Sequence, residues 1–161
     1  MTTMTISQFG ALSSRGASAT AGYIARQAQE RRQKWLNSYT FGQKLSVSIK
    51  ELNQIFQECS QVNWDGYEAL PITGETYELA HQFLEALPLG MSAPSLGVEP
   101  DGHITFEWYQ SPRRMLSVSI SPEGDLHYAA LLGSSTHYGT EPFYGEAPGT
   151  ILDIIRRISA A

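Results

Sequence analysis

The sequence predicts a two-layer α+β domain, and three observations carry that expectation. Between about 48 and 87, apolar residues recur at helical spacing. From 94 to 132 the apolar period drops to two, with turn residues between the alternating runs. A final helical stripe then closes the chain. Helices and a meander that are each apolar on one side bury those sides against one another. The expected form is a three- to four-stranded antiparallel meander covered by helices, with an N-terminal helical arm before it.

The arm is placed at 1–44 and a single α+β domain at 45–161. Residues 1–20, "MTTMTISQFGALSSRGASAT", are rich in Ser, Thr, Gly and Ala, so a flexible start is expected. This start lacks the apolar core of a secretory signal; it shares only its acid-poor, Arg-containing character with an organelle transit peptide. "AGYIARQAQERRQKWLNSY" is made mostly of good helix formers. Ile24, Ala28, Trp35 and Tyr39 share a thin apolar face that needs something to pack on.

Ser48 and Glu51 have the spacing of a capping box, and Leu52, Ile55, Phe56 and Cys59 follow at i, i+3, i+4, i+7, predicting a helix over about 49–61. "LSVSI" just before it alternates like a strand and leaves that boundary open. A second helix, about 74–87, has Thr73 as N-cap, Ile72 and Tyr77 at staple spacing, and Pro88 as its stop. Asp101-Gly102 then signals a hairpin, with Ile104, Phe106 and Trp108 facing the core. In "MLSVSIS", Leu116, Val118 and Ile120 face inward and three serines outward; in "LHYAALL", Leu126, Tyr128 and Ala130 face inward. Residues 133–149 read as a Gly-, Ser-, Thr- and Tyr-rich loop. Ile151, Ile154, Ile155 and Ile158 make the stripe of a last helix, with Arg156 and Arg157 in its final turn, where cations suit the helix dipole.

The net charge of −5 conceals an asymmetry. Residues 1–50 hold seven Lys or Arg and one acid, whereas 51–161 hold four Arg and fifteen acids. Such a split implies an arm and a body with different partners, or an arm lying on its own body. No apolar run reaches the roughly 18 to 20 residues of a membrane span, so no membrane partner is expected. The lone Cys59 excludes an intrachain disulfide, and its place on an apolar stripe marks a buried small hydrophobe.

Four places are candidates for binding. Asp65-Gly66 in "VNWDGYEALPIT" suits a tight turn, with Trp64 and Tyr67 packing on the flanking helices; the alternative keeps Trp64, Asp65 and Tyr67 exposed for a partner. The loop "STHYGTEPFYG" offers Tyr138, Phe143 and Tyr144 for recognition, or folds them back as a cap on the core. His103, Thr105, Glu107, Tyr109, Ser117, Ser119 and His127 define a polar sheet face. In the arm, Arg26, Arg31, Arg32 and Lys34 stand beside Trp35 and Tyr39, which suits phosphate contact with base stacking, or an amphipathic helix docking on a protein.

"NWDGYEALPIT", a helix ending in Pro, "SLGVEPDGHITFEW" and "LSVSISPEGDLHY" resemble an uncharacterised family of small bacterial proteins. That family has an N-W-D-x-Y-x-A…P opening followed by a dG…E-W meander. The resemblance spans about 62–158 and rests on Asn63, Trp64, Asp65, Tyr67, Ala69, Pro71, Gly102, Glu107 and Trp108, with Glu68 where Gly is more usual. It implies a bacterial, cytoplasmic protein at home among the accessory genes of mobile elements, and supplies no catalytic residue.

Catalytic signatures are missing. His103 and Glu107 stand about 13 Å apart along a strand, and no H-x-H, C-x-x-C or H-E-x-x-H occurs, so no metal or cofactor is expected. There is neither G-x-S-x-G nor a P-loop. The expectation is a non-enzymatic protein that binds another protein or complex, as an inhibitor-, adaptor- or antitoxin-like accessory. Nucleic-acid binding through the arm is the alternative, and an enzyme with an unrecognised site is the third; oligomeric state is left open.

Overall fold

The computed structural model describes residues 45–160, all within one compact unit. Helix α1 occupies residues 45–59 of the described chain. Two expectations fail here. Ser48 does not cap the helix; it is buried within it, and its hydroxyl lies 3.5 Å from the Pro94 carbonyl oxygen. The helix also already runs through 45–48, upstream of the expected start near 49. Leu45 and Ile49 prolong the stripe of Leu52, Phe56 and Cys59 upstream, and serine is small enough to be buried between them. The alternation in "LSVSI" is therefore compatible with helix.

A loop leads to helix α2, Gly74–Ala86. Thr73 caps it as expected, accepting the Thr76 N–H at 3.1 Å. Ile72 is buried and Tyr77 packs on the core beside it. Tyr77 also ties α2 to α1, with its ring 4.8 Å from Phe56 and its hydroxyl bonded to Asn53.

The sheet has five antiparallel strands in sequence order: β1 Ser95–Val98, β2 Ile104–Ser111, β3 Arg114–Ile120, β4 Asp125–Leu132 and β5 Ser135–Pro142. The alternation expected for β2, β3 and β4 holds: Ile104, Phe106, Trp108, Leu116, Val118, Ile120, Leu126 and Ala130 are buried. Helix α3, Gly149–Ser159, packs against β2, β3 and β4 through its four isoleucines, and α2 packs against β2 and β3. Phe83 of α2 meets Phe106 at 4.8 Å and Phe143 edge-on at 5.7 Å, joining helix, sheet and the chain beyond β5.

The fifth strand overturns the loop expected over 133–149. Leu132 pairs with Ser135, so Gly133-Ser134 is a two-residue hairpin turn, and Gly133 supplies the positive φ (+69°) it needs. Gly139, which weakens a strand in isolation, leaves room here for the Tyr128 ring. It pairs with Tyr128, and a Cβ at Gly139 would lie 2.8 Å from the Tyr128 hydroxyl oxygen and 3.0 Å from its ring. Ser121 corrects another expectation: it is buried beyond the end of β3, its hydroxyl 3.3 Å from the Asp125 N–H across the turn.

Candidate partner-binding surface

The 60–73 loop is a self-contained turn. Asn63 and Glu68 both adopt left-handed φ, +62° and +67°, with Gly66 at +79° between them. Asp65 Oδ1 accepts the N–H groups of Tyr67 and Ala69 at 2.8 and 3.1 Å, and Asn63 Oδ1 accepts that of Glu68 at 2.8 Å. Trp64 is half-buried against the core, and its Nε1 donates to the Leu70 carbonyl at 2.9 Å. One Asp65 oxygen and the Trp64 N–H are thus committed to holding the loop. Tyr67, Val62 and Leu70 remain exposed.

The loop sits against the β1–β2 turn, where Leu70 donates to Pro100 and Gly102 lies under the Pro71 carbonyl. Acids and histidines gather at that turn, His127 arriving from β4. Glu99 accepts hydroxyl bonds from Thr105 and Ser119 at 2.6 and 2.7 Å, and His103 stacks on His127 with ring centroids 6.0 Å apart. Ligand atoms of Glu99, Asp101 and His103 lie within 4.8 Å of one another, a spacing a cation could span. The Glu123 carboxyl is held below its ordinary range, first by its own backbone N–H, then by the Ser121 hydroxyl and the nearby His103 and His127. Glu107 takes no part in the cation-spaced group; it faces outward in mid-strand opposite Ser95 and Ser117. His137 lies elsewhere, on the helix side of β5.

Helices α2 and α3 both pack on the apolar face of the sheet, and the other face carries the polar rows. From edge to edge its rows run Ser95, Glu107, Ser117, Ala129, Tyr138, then Gly97, Thr105, Ser119, His127, Thr140, with Tyr109, Met115, Leu131 and Thr136 beyond. Ser117, Ser119 and Ala129 keep the middle of this face low between Glu107 and His127; Tyr109 and Tyr138 stand exposed toward the sides. Tyr144, just past β5, is also exposed, whereas Phe143 is buried against Phe83 and offers nothing to a partner. Burial prevails at Phe143 because its N–H bonds the Gly124 carbonyl at 2.8 Å, turning the chain back over the core.

The two sheet edges differ. β1 is four residues long; β5 is eight, and among the described residues nothing pairs with its outer side. In a two-residue hairpin the residues flanking the turn exchange hydrogen bonds. Ser135, His137, Gly139 and Glu141 therefore bond toward β4, and the backbone groups of Thr136, Tyr138 and Thr140 point away. Pro142 falls in the outward set, where its missing N–H breaks no ladder bond.

Beside β5 runs an open groove of about 500 Å³, lined on the strand side by Thr136, His137 and Tyr138 with Tyr128 behind them. The other wall is one stripe of α3: Thr150, Asp153, Ile154 and Arg157, at i, i+3, i+4, i+7. His137 Nε2 is buried here without a hydrogen-bond partner, alone in this among the described residues' side chains. Asp153 is paired with Arg156 at 2.6 Å, and Arg157 carries no ion pair among the described residues. Of the groove residues, only Tyr138 is among those the sequence marks for a partner. The missed signals were Gly133-Ser134 after an apolar pair, and the polar stripe opposite the isoleucines of α3.

Arg26, Arg31, Arg32, Lys34, Trp35 and Tyr39 lie outside the described residues, as does the whole of the expected arm. No protein-family model, curated protein or solved structure matches the chain.

Proposed function

We propose that this chain is a non-enzymatic protein-binding accessory, bacterial and cytoplasmic, that captures an extended segment of a partner protein as a sixth strand on β5. The observation that carries this reading is the eight-residue edge of β5, unpaired among the described residues and bordered by a groove. An exposed edge presents a row of donors and acceptors that templates another strand, and natural edges are usually short, charged or covered. β5 is long, and Glu141 is its only acidic or basic residue apart from His137. Strand addition supplies main-chain hydrogen bonds for affinity and a neighbouring groove for side-chain selection. Tyr138 stands exposed on the strand itself and Tyr144 just past its end. Tyrosine brings contact area at low entropy cost.

The test compares the intact chain with Tyr138→Pro. Position 138 points its N–H outward, so proline there removes a donor to an incoming strand and leaves the β4 ladder whole. Both proteins are tagged, expressed in the native host and purified with their bound material. The reading requires a protein that co-purifies with the wild type and is lost from the variant at unchanged circular dichroism. Equal recovery on both would contradict it.

A second reading, nucleic-acid binding, rests on the arm's four basic residues beside Trp35 and Tyr39. The acids of the body oppose it. Binding of labelled DNA or RNA at physiological salt, falling steeply as salt is added, would favour it instead.

A further inference from the structure

We propose that the β5–α3 groove selects an acidic extended segment, with one carboxylate meeting Arg157 and His137 and an apolar side chain two residues away meeting Ile154 and Tyr128. The inference rests on the strand-addition reading and adds the chemistry of what is added.

The charge distribution of the body points this way. Residues 51–161 contain no lysine, and their four arginines fall in two pairs, Arg113-Arg114 and Arg156-Arg157. The pairs meet: Arg114 Nη1 donates to the Ala160 carbonyl at 2.7 Å, just past the end of α3. An otherwise acidic body thus has one basic corner, and the groove runs along α3 toward it, with Arg157 in its wall. The groove's single acid, Asp153, is neutralised by Arg156. Arg157 is exposed and unpaired among the described residues; His137 lines the strand side of the same groove, its Nε2 without a partner and closed off from solvent in the free chain. An acidic side chain beside Arg157 would make a charge-assisted hydrogen bond there, and a turn of the His137 ring would bring Nε2 to the same carboxylate.

Strand geometry supplies the spacing. Side chains two apart on an added strand point the same way and lie about 7 Å apart. One reaching Arg157 and His137 leaves its neighbour on that face over Ile154, which is 4 % exposed, and Tyr128. The acids at the opposite end of the sheet, among them Glu99, Asp101 and Glu123, would repel such a segment, so charge also favours its carboxylates at the Arg157 end of β5.

Three labelled peptides of alternating Thr and Val serve as probes, one bearing glutamate at every fourth position, one glutamine there and one lysine. Each is titrated by fluorescence anisotropy into the full chain, Arg157→Glu and Tyr138→Pro, with melting temperatures recorded alongside. The expected result is that the glutamate peptide binds about tenfold more tightly than the glutamine peptide, the difference of one charge-assisted contact. Arg157→Glu removes that preference and shifts it toward lysine; Tyr138→Pro abolishes binding of all three. If glutamate and glutamine peptides bind the wild type equally and both fail on Tyr138→Pro, strand addition stands and acidic selection is wrong. If glutamate binding survives Tyr138→Pro yet is lost in Arg157→Glu, the carboxylate site stands and strand addition is wrong. No binding by any peptide up to about 1 mM, or displacement of the glutamate peptide by single-stranded DNA at physiological salt, overturns the proposal. Concentration-dependent dimerisation that Tyr138→Pro abolishes would also overturn it, by assigning the edge to a second copy.

Discussion

Glu68→Gly should make this protein more stable, which is unusual for a change to glycine. Glu68 sits at φ +67°. A residue with a Cβ pays about 1 to 2 kcal/mol in the left-handed region. Glycine avoids that strain but loses about 0.5 to 1 kcal/mol more chain entropy on folding. Nothing else of consequence is removed: the exposed side chain makes no hydrogen bond or ion pair among the described residues, and the bond from the Glu68 N–H to Asn63 Oδ1 belongs to the backbone and persists. The balance is a gain of about 0.5 to 1 kcal/mol, or roughly 1 to 4 °C in melting temperature for a chain of this size. Asn63→Ala is the paired control. It has the same left-handed φ (+62°), but alanine tolerates that region less well than asparagine and loses the acceptor for the Glu68 N–H, so a loss of about 1 to 3 kcal/mol is expected. Urea unfolding followed by tryptophan fluorescence measures both. A destabilised Glu68→Gly, or a neutral Asn63→Ala, would refute the view that this loop is held by backbone conformation and its Asn and Asp acceptors.

Gly102→Ala should be markedly worse than Gly66→Ala. Both have φ near +80°, but a Cβ at Gly102 would lie 2.9 Å from the Pro71 carbonyl oxygen, while Gly66 faces open space; parallel thermal melts compare them. Trp108→Ala should cost about 3 to 5 kcal/mol in chemical denaturation, since the ring is buried and its Nε1 donates to the Ser92 carbonyl at 2.8 Å. Burial, and then the Glu58 charge, push the Cys59 thiol pKa up, so Cys59 should react with a disulfide reagent far more slowly in the folded protein than in urea. The Glu123 carboxyl titrates below its ordinary value when folded. Its contribution is therefore present above the unfolded pKa and lost as pH falls through the folded one. Glu123→Gln should flatten the acid limb of the stability–pH curve slightly.

The strands and helices whose one side is apolar were legible because burial writes a period into them. Phe106, Val118 and Ile155 needed only spacing to be placed. β5 was not legible, since few of its side chains enter the core. Its helix-facing positions are Ser135, His137, Gly139 and Glu141, and at Gly139 the Tyr128 ring takes the space a side chain would fill. A cross-strand demand of that kind is invisible until the partner strand is known. Ser48 misled for the opposite reason: a capping pattern was present, but the apolar stripe ran through it, and packing outweighed the local signal. Of the candidate binding residues, Trp64 and Asp65 are recruited into the loop's own hydrogen bonds and Phe143 into the core, while Tyr67, Tyr138 and Tyr144 stand exposed. The groove between β5 and α3 joins residues some twenty positions apart whose juxtaposition depends on the strand the sequence hid.

Residue-resolved amide exchange across β5 tests most directly whether this edge receives a strand. In the free protein, His137 and Gly139 should exchange slowly, because their N–H groups bond β4, and Thr136, Tyr138 and Thr140 should exchange fast. Saturation with the glutamate peptide should slow the outward Tyr138 and Thr140 amides at least tenfold, as new ladder bonds form. Peptide binding that leaves those amides fast, while protecting residues around Tyr67 and Leu70 or none on the edge, would contradict strand addition at β5.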